Sequence, residues 1–178
     1  SMGYRDADYV TTAELKGFGR VDDSVDDVQL ALAVTAASRA IDRACGRSFG
    51  VDVVAVTREY RSGLPACDWA IDDLSSTTSL VVASSPNWVD DPVAVDAADY
   101  TLLPLNAAAD GRPWERIELA ATSGATRLQV TGLWGWSAVP DTIKQATLIQ
   151  ALRFVRRRDA PFGVAGSPEL GSELRLLA

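Results

Sequence analysis

Apolar residues return at two different periods along this chain, and the change of period divides it. Leu30, Val34, Ala37, Ile41 and Ala44 recur at steps of three or four, which draws one stripe along a helix. Ser24-Val25-Asp26-Asp27 ahead of the stripe resembles a capping box with Asp in place of Glu, and Gly46 behind it suits a left-handed terminator. The pattern predicts a helix over 24–45, roughly 33 Å long at about 1.5 Å per residue. A shorter signal precedes it: Thr11 or Thr12 caps a turn through Ala13, Glu14 and Leu15 that ends near Gly17 and Gly19.

From Val51 to Thr131 the period shortens and β-branched residues take over. The segments 51–57, 67–71, 79–83, 100–103, 116–119 and 127–131 read as strands. Ser62-Gly63-Leu64-Pro65, Ser85-Pro86-Asn87, Asp90-Asp91-Pro92, Asp110-Gly111-Arg112-Pro113 and Ser123-Gly124 read as the turns between them. Six short strands at this spacing predict a small antiparallel sheet or sandwich.

Helical spacing returns after Pro140, where Asp141 or Thr142 can cap and Leu148, Ile149, Leu152 and Val155 form an apolar face. Arg153, Arg156, Arg157 and Arg158 crowd its end, where cations oppose the negative pole of the helix. Beyond Pro161 the composition loosens, yet Leu170, Leu174, Leu176 and Leu177 are too apolar for a mere solvated tail. The boundaries read as N-terminal helices over 9–50, a β-rich insertion over 51–133, a C-terminal helix over 140–158 and an arm over 159–178. With 178 residues, all of this fits a single domain over 3–178, Ser1-Met2 reading as a tag remnant.

Charge and composition narrow the chemistry. The net charge of −7 argues against a general nucleic-acid binder, which needs a cationic surface to release counterions. No apolar run reaches the roughly 20 residues that cross a bilayer, and no signal segment opens the sequence, so a cytosolic setting is expected. Cys45 and Cys67 then read as buried, reduced thiols, although spacing alone leaves a disulfide open.

The absence of histidine removes the commonest general base and metal ligand, and with it every Ser-His-Asp or Cys-His arrangement. Gly17-Phe18-Gly19-Arg20 follows no strand and lacks the Lys-Ser ending of a phosphate loop. The carboxylate pairs Asp22-Asp23, Asp26-Asp27, Asp72-Asp73 and Asp90-Asp91 admit ion binding or acid–base work, but helix capping and turns explain them better. The five tryptophans read as anchors of loops onto the core. No catalytic residue, metal ligand or cofactor is expected, and the chain does not read as an enzyme.

The order of these pieces carries a resemblance. A short helix leads into a long alanine-rich one ending in Ala-Cys-Gly-Arg-Ser-Phe-Gly at 44–50, followed by a β-rich middle. That middle closes on Leu-Gln-Val-Thr-Gly-Leu-Trp-Gly-Trp at 128–136, then Val139-Pro140, Ile143-Lys144-Gln145-Ala146 and the arginine-rich helix end. In this order the chain resembles the head–tail connector (head–tail adaptor) proteins of long-tailed double-stranded DNA phages and prophages.

The resemblance implies an α+β fold: a helical bundle, made of the long N-terminal helix and the C-terminal helix, with a small antiparallel β region inserted. It implies a homo-oligomeric ring, possibly a dodecamer, beneath the phage portal protein at the virion neck, assembled in the bacterial host cytoplasm. A neck, stopper or tail-completion protein would be its other neighbour, and double-stranded DNA would pass without sequence-specific binding. The partner-binding residues expected are Arg153, Arg156, Arg157 and Arg158, whose cluster suits phosphate or an acidic partner surface as well as a helix end, and, in the segment after Pro161 that the resemblance maps to the portal contact, Phe162, Leu170, Leu174, Leu176 and Leu177. The competing expectations are a small β-rich module recognising a protein or ligand, and another neck or tail-completion protein.

Overall fold

The computed structural model describes residues 4–20, 27–120 and 124–159. They form three helices, α1 (Thr12–Gly19), α2 (Asp27–Cys45) and α3 (Asp141–Asp159), and six strands. The strands are β1 (Val56–Ala66), β2 (Asp68–Ser85), β3 (Val93–Ala94), β4 (Tyr100–Leu103), β5 (Trp114–Leu119) and β6 (Ala125–Trp134). The chain divides into two compact units. Of the described residues, one holds 8–20, 27–44 and 141–159; the other holds 4–7, 45–120 and 124–140.

The sheet overturns the expected helical bundle with a small β insertion. All six strands join one antiparallel sheet in the order β1-β6-β2-β5-β4, with β3 paired to β2, and this sheet is the main body of the fold. The strands are longer than the turn residues imply. Ser62-Gly63-Leu64-Pro65 does not end β1, because β1 is an edge strand and its register with β6 shifts between Arg61 and Ala66. A proline there forfeits no ladder hydrogen bond on the open side.

Likewise β2 fuses the strands expected at 67–71 and 79–83. It absorbs the intervening residues in register shifts between Leu74 and Ser76 and between Ser76 and Val81, with Ser79 at a left-handed φ of 59°. The strand expected at 51–57 reduces to a bridge from Val51 to Gly135 and the first residues of β1.

The β unit packs around Trp69, Leu74, Val82, Ile117, Leu128, Val130 and Trp134. Trp134 is fully buried; its indole N–H donates to the Val56 carbonyl at 2.7 Å, and the Arg58 guanidinium lies 4.5 Å from its ring centroid. Gly132 faces Leu74 so closely that a Cβ there would fall 2.7 Å from the Leu74 side chain. That close approach is why glycine stands in the middle of β6.

In the helical unit Leu15, Leu30, Ala33, Val34, Ala37, Ala151 and Val155 form a second core. Helix α1 begins as its sequence requires. Thr11 Oγ1 accepts from the Glu14 N–H at 3.1 Å, and the Glu14 carboxylate accepts from the Thr11 N–H at 2.6 Å. Those hydrogen bonds hold the Glu14 carboxyl below its usual range. Thr11→Ala is expected to cost about 1 kcal/mol of helical-unit stability, read by thermal denaturation in circular dichroism.

Helix α2 ends at Gly46, whose φ of 63° is the left-handed terminator expected there. The capping box over 24–27 lies outside the described residues except for Asp27, which pairs with Lys16 at 2.6 Å. Cys45 and Cys67 are free and exposed rather than buried. Burial along the α2 stripe fades after Ala37, so Ala44 and Cys45 lie beyond the packed part of the helix.

Candidate interaction surfaces

The two stretches quoted for the resemblance, 44–50 and 128–140, meet inside the β unit. The Trp136 N–H donates to the Gly50 carbonyl at 2.8 Å, and the Asp52 N–H donates to the Trp134 carbonyl at 2.8 Å. Side chains complete the clasp. Phe49 is buried with its ring 5.2 Å from that of Trp136, and the Arg47 guanidinium lies 5.7 Å from the Trp136 centroid.

Arg47 also binds Asp73 at 3.2 Å and Glu115 at 2.8 Å, while the Trp136 indole N–H donates to Asp73 Oδ2 at 3.1 Å. Burial raises the Asp73 carboxyl above its usual range, against the opposing pull of Arg47 and the Trp136 hydrogen bond. The cluster joins chain just after α2 to chain just before α3, with β2 and β5 supplying the acids.

Asp72, next in sequence to Asp73, belongs to a different cluster. It pairs with Arg58 at 2.6 Å and Arg5 at 3.7 Å and accepts from the Tyr60 hydroxyl at 3.2 Å. Alternation along the strand thus sends these two carboxylates to different arginines, so they do not form an acid–base pair. Burial foremost raises the Tyr60 hydroxyl well above the usual tyrosine range. With Asp6, Asp52, Val56 and Glu59 these residues line an open polar cleft. Of the pair at 90–91, Asp90 stays in its turn, where it accepts from the Asn87 amide at 2.7 Å.

Four of the five tryptophans pack as anchors, Trp69 and Trp134 buried and Trp114 and Trp136 partly so. Trp88 is 41% exposed, with Arg61 and Arg127 at 5.3 and 5.0 Å from its centroid. It sits on a loop in which Asn87 Oδ1 accepts from the N–H groups of Val89 and Asp90, at 2.8 and 2.9 Å. That ordered turn holds Val89 almost wholly in solvent. Val53, Leu64, Val93 and Leu105 are also strongly exposed on this unit.

In the helical unit Arg153, Arg156 and Arg157 line one cleft with Gln150 and Phe154, so the structure does bring these three together. Arg158 falls in the last turn of α3, but its side chain lies outside the described residues, as do Phe162, Leu170, Leu174, Leu176 and Leu177. Arginine clustering was legible in the sequence; the apolar groove beside it, between α2 and α3, was not. Its only signal was the exposed second stripe of α2, Val28, Leu32 and Ala36, which reads as ordinary alanine-rich helix.

No known protein-family model matches this chain, and no curated protein is significantly similar to it. Among the described residues no group of three or more acidic or cysteine side chains could hold a metal ion. No helix among them is long and apolar enough to cross a membrane.

Proposed function

We propose that this chain is a structural assembly subunit, a head–tail connector that forms a ring beneath a phage portal and lets the genome through. The reading now rests on motif order rather than on a helical bundle. What supports it most is the clasp: Arg47 and Phe49 from one resembling stretch pack on Trp136 and Asp73 beside the other. The order of motifs is therefore an order of interacting parts.

Lateral contacts between copies would close a heterologous ring. The exposed Val53, Leu64, Val89, Val93 and Leu105 are the side chains such contacts would bury. With a net charge of −7, a channel lined by this protein would repel the DNA backbone rather than hold it. Assembly in a bacterial cytoplasm and a final place at the virion neck go with this reading.

One observation favours a second reading. The sheet is the main body of the fold and displays Val89 on an ordered turn, as a β-rich binding module would. Solution mass separates the two. Light scattering over a wide concentration range, alone and with a phage portal protein, should give masses of many subunits. A monomer under every condition would favour the binding module.

A further inference from the structure

Helix α2 carries two apolar stripes. Leu30, Ala33, Val34 and Ala37 are buried in the helical core, whereas Val28, Leu32 and Ala36 remain exposed, Leu32 by 59%. Gln29, Leu32, Ala33 and Ala36 line an apolar groove of about 290 Å³ with Phe154 and Val155 of α3. Phe154 also lines the neighbouring cleft that holds Arg153, Arg156 and Arg157. Among the described residues no carboxylate pairs with these three arginines, and Arg153 meets the Gln150 side chain at 3.4 Å. The groove is thus apolar along its floor and cationic along one rim. It suits a small apolar group with carboxylates directly beside it.

The β unit displays such a group. Among its exposed apolar side chains, Val53, Leu64 and Leu105 have no exposed carboxylate within two positions. Val89, 91% exposed, is followed at once by Asp90 and Asp91, both exposed, and then by the exposed Val93. The turn that carries them is held from both sides. Asn87 Oδ1 accepts from the N–H groups of Val89 and Asp90, and the Ser85 hydroxyl donates to the Asn87 carbonyl at 2.8 Å. Trp88 is packed by Arg61 and Arg127. A turn ordered in this way gives up little conformational freedom when it docks.

We propose that the 89–93 turn of one copy docks in the α2–α3 groove of a second copy. Val89 covers Leu32 and Phe154, and Asp90 and Asp91 meet the arginines of the rim. The proposal rests on the connector reading above and names the contact that the reading needs. A protrusion and a groove on different surfaces make a heterologous contact, which repeats from copy to copy until it closes a ring.

The test mixes two full-length chains, each with Cys45→Ser and Cys67→Ser, one carrying Leu32→Cys and the other, isotope-labelled, carrying Val89→Cys. Leu32 and Val89 are both exposed, so the replacements leave the cores intact. Under mild oxidation, mass spectrometry of linked peptides should find a disulfide joining position 32 of one chain to position 89 of the other. Leu105→Cys in place of Val89→Cys, exposed on the same unit, should link about tenfold more slowly, having no seat in the groove. Adding Asp91→Arg should slow the 32-to-89 link about fivefold, and Arg157→Asp on the other chain should restore it, which a merely unfolded turn would not allow. Light scattering of the same mixtures before oxidation separates the two levels of the account. Assemblies of many subunits without that disulfide, or equal rates at positions 89 and 105, would overturn the docking and leave the ring reading standing. A link from position 32 to position 32 would mean that two grooves face each other, and would overturn the docking as well. Monomers throughout, with no link, would overturn both.

Discussion

Trp134→Ala is expected to lower the stability of the β unit by about 3–5 kcal/mol, the range for removing a fully buried large aromatic. The indole is fully buried, its N–H is spent on the Val56 carbonyl and its face receives Arg58. Truncation would open a cavity between β1, β2 and β6 and leave that carbonyl without its donor. A domain of this size is stable by only about 5–15 kcal/mol, so the variant should be close to unfolding at physiological temperature. Trp134→Phe keeps most of the ring and should lose only about 1–2 kcal/mol, mainly through the lost hydrogen bond. Urea unfolding followed by tryptophan fluorescence is the suitable readout, because all five tryptophans lie between residues 69 and 136 and so report on the β unit. A loss below about 1 kcal/mol for the alanine variant would contradict this account of the core.

The second large effect concerns the clasp. Arg47→Ala should cost about 2–4 kcal/mol, because it strands Asp73, whose side chain is only 11% exposed, and removes the cation from Trp136. Adding Asp73→Asn should recover part of that loss, since a neutral amide needs no buried counter-charge and still accepts from the Trp136 indole. The effect should also depend on pH, with a definite sign. The Asp73 carboxyl already titrates above its ordinary value of 3.8, chiefly from burial, and losing Arg47 pushes it further up. A raised carboxyl means the folded state binds its proton more tightly than the unfolded state, so stability falls as pH rises through that window. The deficit of Arg47→Ala relative to the unaltered protein should therefore be larger near about pH 7 than near about pH 4.5. Chemical denaturation of both proteins at the two pH values checks this, and an equal deficit at both would contradict the stranded-charge explanation.

What the sequence allowed to be read follows the range of the interactions involved. Capping by Thr11 and the Gly46 terminator depend on residues a few positions apart, and both are where the pattern predicts them, whereas Asp141, expected as a cap, is the first residue of α3. The strand at 100–103 was placed correctly for the same reason. The size of the sheet was not legible. Pro65 and Asp72-Asp73 read as breaks, yet pairing with β6 and β5 holds β1 and β2 extended through them, and that pairing is set by residues far along the chain. Cys45 is exposed rather than buried because helical periodicity locates a face but not the point along it where packing stops.

The same distinction applies to the candidate surfaces. The cluster Arg153, Arg156 and Arg157 is one helix end and could be seen directly, whereas the groove it borders needs α2 and α3 side by side. Trp136 lies in one of the stretches that carry the resemblance, but its partners Arg47 and Phe49 come from 44–50 and Asp73 from β2, which only the folded sheet brings to it.

Assembly of this chain is tested most directly by negative-stain imaging of the full chain mixed with a phage portal protein. Ring-shaped particles with an open centre are expected, stacked on the portal and absent when the portal is imaged alone. Portal particles unchanged in outline, beside single globular particles of this chain at every ratio tried, would contradict it.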